Sequence, residues 1–305
     1  MKNEKWILIM LLIPMILMPI IFKAYASYLV NKDSSFNNSS YWYLFKPSHN
    51  DAPSECITYF DTSNSLVYLK TVDREGSDWS DTVCYQGKAL HSSGTWGTQL
   101  NGIIYIYPDT TTPLQIQVQM RFQNTPTAIN DYPHNPTVSP SSNVAGAFVM
   151  LFFEFKYKDA YNNEYWTNIN SPNAKDGFPD CFVFEMANRW AIGGNGWYQA
   201  PSTSIIFNFF TAHTTHDDDL HDIRCGWTWT QTEMSNHAWK TFTVNVNERY
   251  SEWFNWFNNV YVPNEGRYKN IYQITALRLV AVAVSVETYR ASYDMQFCDL
   301  WVYWN

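Results

Sequence analysis

The nine residues Leu114-Gln115-Ile116-Gln117-Val118-Gln119-Met120-Arg121-Phe122 alternate strictly between apolar and polar. In a helix, side chains two apart point to different sides; in a strand they share one face. The stretch is therefore a half-buried strand. Its apolar members face the core, and Gln115, Gln117, Gln119 and Arg121 lie on the other face. A row of glutamines is polar without charge, so it suits bulk water and equally the lining of a polar cleft. Ala145 to Tyr157 is more continuously apolar and reads as a central strand. Ser204 to Ala212, Trp239 to Val246, Ile274 to Tyr289 and Ala291 to Tyr303 read as further strands. Asn124 to Asn143 and Asn168 to Pro179 are polar, proline-bearing loops.

Glu248 to Asn259 breaks the period of two. Tyr250, Trp253, Phe254 and Phe257 recur at three- and four-residue spacing, the pattern of a short amphipathic helix, expected on the outside of a sheet. Many strands and one late helix predict an all-β fold, a jelly-roll β-sandwich.

The chain opens with Met1-Lys2-Asn3-Glu4-Lys5, an apolar run from Trp6 to Phe22, then Ala24-Tyr25-Ala26. A charged end, a greasy middle and small residues at the cleavage point predict a signal peptide over 1–26 and an extracellular protein, secreted or held at the cell surface. The membrane is then met only transiently, through that segment. A retained anchor is the alternative, weakened by Pro14, Pro19 and a length at the short limit for spanning. Residues 27–305 are expected to form a single β-sandwich domain.

Aromatic residues make up 18% of the chain and charged residues only 16%. Flat Trp and Tyr rings stack on pyranose C–H groups while their N–H and O–H stay wet, so the excess points to a polysaccharide partner. A Tyr- and Trp-rich sheet surface with no ligand has the same composition. The net charge is −8 and no basic stripe is present, which argues against nucleic acid. Of five cysteines, Cys56 and Cys84 bracket a polar segment and are expected to pair, with Cys181 and Cys225 a second candidate pair. The fifth is expected to be buried.

Two strands carry a lone glutamate. In Cys181 to Trp190, Glu185 shares a face with Cys181, Val183, Ala187 and Arg189, while Phe182, Phe184 and Met186 point the other way. In Val280 to Tyr289, Glu287 shares a face with Ala281, Ala283, Ser285 and Tyr289, opposite a row of valines. Small neighbours beside a lone carboxylate leave room for a ligand over the sheet. Glycoside hydrolysis needs two carboxylates flanking one bond, with no cofactor, roughly 5–5.5 Å apart in a retaining enzyme. Glu185 and Glu287 are the candidate catalytic pair, and Arg189, Tyr289, Gln117 and Gln119 are candidate substrate contacts. Two unrelated surface glutamates would give the same pattern.

The C-terminal third resembles glycoside hydrolase family 12. Trp253-Phe254-Asn255-Trp256-Phe257 stands where that family has an aromatic helix, and the strand Ile274 to Val286 leads to Glu287. Glu185-Met186-Ala187-Asn188-Arg189-Trp190 is similar to the family's Glu-x-Met-x-Trp strand, with Met one residue after the glutamate instead of two and Trp five instead of four. The resemblance implies a concanavalin-like jelly roll that hydrolyses β-1,4-glucan by retention, with Glu185 as nucleophile and Glu287 as acid/base. The family's aspartate on a neighbouring strand has no evident counterpart.

His213, His216, Asp217 and Asp219 form a further cluster that suits a structural calcium or zinc ion, or simply a solvated loop. Two functions of different class remain: a β-glucan hydrolase, and a non-catalytic lectin-like or cell-surface sandwich. Whether Glu185 and Glu287 face each other across an open groove separates them; on different sheets or opposite faces, they exclude the enzyme.

Overall fold

A computed structural model describes residues 28–45, 55–73, 80–88, 100–128, 143–167, 181–193, 196–199, 204–210, 223–224, 236–246, 250–256, 258–259, 271–289 and 291–305. The chain folds as an all-β sandwich of two antiparallel sheets, one strongly curled. The strands in chain order are β1 (Tyr28–Leu29), β2 (Tyr43–Phe45), β3 (Glu55–Asp61), β4 (Leu66–Val72), β5 (Ser80–Gly87), β6 (Ile104–Ile106), β7 (Leu114–Ala128) and β8 (Asn143–Asp159). They continue as β9 (Glu164–Trp166), β10 (Cys181–Gly193), β11 (Gly196–Gln199), β12 (Ser204–Phe210), β13 (Ile223–Arg224), β14 (Lys240–Asn245), β15 (Ile271–Tyr289) and β16 (Ala291–Trp304). Among the described residues one α-helix occurs, α1 (Tyr250–Trp256).

The six-stranded sheet runs β14-β7-β16-β4-β3, with β1 beside the end of β16. The ten-stranded sheet runs β13-β12-β10-β8-β15-β5-β2, with β6, β9 and β11 added along it. The alternation in β7 does what its period requires: Ile116, Val118, Met120 and Phe122 are buried. They join Met295 and Phe297 of β16, Val149, Leu151 and Phe153 of β8, and Val282, Val284 and Val286 of β15 in one core cluster. Each such side chain contributes roughly 1.5–3 kcal/mol through removal from water.

The helix does not lie on the outside of a sheet. Trp253 packs against Phe153 and Phe184, with ring centroids 5.9 and 5.4 Å away, and both partners belong to the core cluster. Tyr250, Trp253 and Phe254 are all buried, so the aromatic stripe of α1 completes the core. The polar stretch after Phe122 is also shorter than its composition implies. Strand β7 continues through Pro126 to Ala128, and β8 begins at Asn143.

A buried polar clasp ties the sheets together near the start of the described chain. The Asn31 side chain donates to the Leu300 carbonyl at 2.8 Å and accepts from the Val302 amide at 3.0 Å, both on β16. Gln86 of β5 accepts from the Lys32 amide and donates to the Asp33 carbonyl. The Asp33 carboxylate in turn accepts from Trp42 Nε1 at 3.0 Å.

The Cys56–Cys84 bridge is not formed; both are free thiols, as is Cys298. Cys56 Sγ donates to the Asp81 carbonyl at 3.2 Å, whereas Cys84 lies three residues further along β5 and fully buried in the core. That is about 10 Å of strand, beyond disulfide reach. The Cys181–Cys225 pairing and the 1–26 segment lie outside the described residues.

Candidate functional site

Strand pairing places the two glutamates. Glu185 of β10 is opposite Met150 of β8, and Met150 is opposite Ala283 of β15. Arg189 is opposite Gly146, and Gly146 is opposite Glu287. Both ladders run without a register shift between these levels, so Glu185, Arg189 and Glu287 occupy one face of the ten-stranded sheet. That face points away from the six-stranded sheet, because Phe184, Val284 and Val286 on the opposite side are in the shared core. Tyr289 ends β15 opposite Val144, two residues beyond Glu287 and hence on the same face.

The glutamates are not neighbours. With β8 between them and a stagger of four residues, ideal strand spacings put their Cα atoms about 16 Å apart.

The residue directly opposite Glu287 is Asp81 of β5. Directly opposite positions hold their Cβ atoms about 4.5–5.5 Å apart, so two carboxylates meet there, both half-buried. Sequence reasoning missed Asp81, because Ser80 to Gly87 has no clear alternation and nothing local reveals that β5 pairs with β15.

The centre of this face is not the open floor that its small residues suggested. Ala281 and Ala283 are fully buried in a second apolar cluster with Val83 and Tyr85 of β5 and Phe148, Met150 and Phe152 of β8. Small residues on β15 accommodate large ones on the strands either side, which a single strand's sequence cannot show.

At the far end of the same face lies a charged cluster. A register shift between Leu279 and Ala281 turns Arg278 onto this face, opposite Glu154. Glu154 is fully buried; one carboxylate oxygen accepts from the Lys88 ammonium and the other from Arg278 Nη2. The Arg278 guanidinium lies 4.5 Å from the Trp166 ring centroid, and Trp166 in turn meets Tyr105. Lys88, Glu154 and Arg278 line a cleft of about 460 Å3. Glu154 carries the same signal that singled out Glu185 and Glu287, a lone carboxylate in an apolar strand, and could have been found by it.

Gln117 and Gln119 are not brought to this face. They lie on β7 of the other sheet, opposite Thr243 and Thr241 of β14, and turn away from the core. They are therefore on the opposite side of the molecule from Glu287 and cannot contact the same substrate. His213, His216, Asp217 and Asp219 lie outside the described residues. Among the described residues no group of three or more metal-ligating side chains occurs, and no helix is long and apolar enough to cross a membrane.

No known family matches this chain, and no curated protein matches it.

Proposed function

We propose that the protein is glycan-active and hydrolyses a β-1,4-linked glucan at the outward face of its ten-stranded sheet, with Glu185 and Glu287 as the two carboxylates. The observation that carries this reading is the register. Both glutamates occupy one face of one sheet and are separated by a single strand, with Phe148 of β8 at the level between them. Placement on different sheets would have excluded it. Asp81, opposite Glu287, is a further carboxylate within reach of the same acid/base position.

The stagger bears on stereochemistry. Retention needs carboxyl groups about 5–5.5 Å apart and inversion about 6.5–9.5 Å. A Cα separation of about 16 Å is beyond the retaining spacing that the resemblance implies, and the two carboxyl groups meet the inverting range only by leaning toward each other along the face.

The test is reducing-sugar release from soluble β-glucans by the wild type, Glu185→Gln and Glu287→Gln, with proton NMR of the first-formed anomer. Loss of activity in both variants and an inverted first product are expected. Full activity in either variant removes that glutamate from the mechanism.

A non-catalytic glycan binder is the second reading, favoured by the buried centre of the face. It predicts glucan binding by the wild type with no sugar release.

A further inference from the structure

The outward face of the six-stranded sheet has a chemistry of its own. At one register level across it lie Tyr59, Tyr68, Gln296 and Arg121, with Trp239 just before β14. Tyr59 is 60% exposed and Trp239 37% exposed. Arg121 Nε donates to Gln296 Oε1, and its guanidinium lies 4.5 Å from the centroid of the Trp239 ring. Below this row opens a polar pocket of about 420 Å3, lined by Asp61, Asn64, Gln119, Arg121, Trp239 and Gln296 among others.

The same face continues along β7 and β16. Cys298 faces outward opposite Gln119, so unbroken alternation would send Trp301 and Tyr303 into the core. A register shift between Cys298 and Trp301 prevents this, with Asp299 at φ 48°, an uncommon conformation for a non-glycine residue. Leu300 and Val302 become the fully buried residues, and Trp301 and Tyr303 stand outward opposite Gln117 and Gln115. Their rings are parallel to within 5°, with centroids 5.7 Å apart. The bulge thus delivers two aromatic rings to a surface already floored with glutamines.

We propose that this face is a non-catalytic binding platform for a neutral polysaccharide chain, lying along β7 from Trp239 and Gln119 to Trp301 and Tyr303. From Arg121 to Gln115 the track is roughly 20 Å long, room for several sugar rings. Aromatic faces supply stacking, and carboxamides supply paired donors and acceptors for hydroxyls. The pocket's charges cancel. Asp61 is held below the usual carboxylate range by hydrogen bonds from Asn64 and Ser63, and Arg121 is its cationic counterpart. One arginine matched by one carboxylate in the pocket does not make the positive groove that a phosphate backbone needs, which sets single-stranded nucleic acid aside. The ligand class rests on the glycan reading above; the platform does not depend on hydrolysis.

The experiment is retention of the full chain on insoluble β-1,4-glucan, with polygalacturonate as an anionic comparator. Trp301→Ala/Tyr303→Ala and, separately, Trp239→Ala/Gln119→Ala are compared with wild type and with Tyr161→Ala, an exposed aromatic in the turn between β8 and β9, and circular dichroism checks that each is folded. Binding weaker by about tenfold in either outer-face variant, the scale of one lost aromatic contact, is expected, with Tyr161→Ala retained like wild type. Unchanged binding in both outer-face variants, no wild-type binding to neutral glucan, or preference for the polyuronate each overturns the platform. Glucan binding that needs the outer face, together with no sugar release, overturns the hydrolase reading alone.

Discussion

Glu154 on β8 and Arg278 on β15 stand directly opposite each other, and the glutamate's second oxygen is taken by Lys88 at the end of β5. The anion is wholly buried, while Lys88 and Arg278 keep 15% and 25% of their side-chain surface. Desolvation therefore falls mainly on the carboxylate, and two cations with their hydrogen bonds offset it. Three adjacent strands are cross-linked at this point.

Glu154→Gln leaves Lys88 and Arg278 facing each other without the anion. Breaking a buried pair costs roughly 3–5 kcal/mol, and the partial exposure of the cations puts this variant at the lower end of that range. Urea denaturation monitored by tryptophan fluorescence measures it. A midpoint equal to that of the wild type excludes a stabilising role for the cluster.

Gly87, where β5 ends, has φ +113°, and a Cβ there would sit 2.2 Å from the Val280 carbonyl oxygen and 2.7 Å from Ala281 Cα. Both contacts are backbone and neither can swing aside. Gly87→Ala is expected to destabilise the fold by upwards of about 2 kcal/mol. Thermal unfolding of the variant tests this, with Gly102→Ala as a milder control, since its nearest contact is the movable Tyr28 ring at 3.2 Å.

Trp253 is the anchor of α1, lodged between Phe153, Phe184 and Tyr250. Trp253→Ala is expected to cost roughly 3–5 kcal/mol, as large-to-small changes at buried aromatic sites do. Trp253→Phe should recover part of the loss. Equal stability of the two variants would show that the helix packs loosely.

The thiols give a prediction with a pH window. Burial, reinforced by Asp299 and opposed by Arg121, pushes the Cys298 thiol up to about 12. An unfolded cysteine titrates near 8.5, so the fold favours the protonated thiol. That contribution is complete below about pH 8.5 and is lost as pH rises toward the folded value. Iodoacetamide should label Cys298 far more slowly in the native protein than in urea at pH 8, with the rate rising steadily above pH 9. After denaturation without reductant, Cys56 and Cys84 should both take up label; a mass lacking two labels would reinstate their bridge.

The sequence by itself determined the local elements. Strict alternation allowed only a strand at Leu114 to Phe122, the aromatic stripe only a helix around Trp253, and the valine rows fixed which side of β15 meets the core. These are properties of consecutive residues, and burial of one face enforces them wherever the chain goes. The same alternation placed Glu185 and Glu287 each on a non-core face.

Only the tertiary structure decided which faces meet. Whether Gln117 belongs with Glu287 depends on sheet membership, which β7 cannot announce. That Asp81 faces Glu287, and that Ala281 and Ala283 lie under large neighbours, follows from pairings between residues far apart in sequence. The outward turn of Trp301 and Tyr303 depends on one extra residue at a bulge, which reverses every side chain beyond it. Period-two patterns record which residues share a face, but pairing partners and register arise from contacts that no short stretch of chain contains.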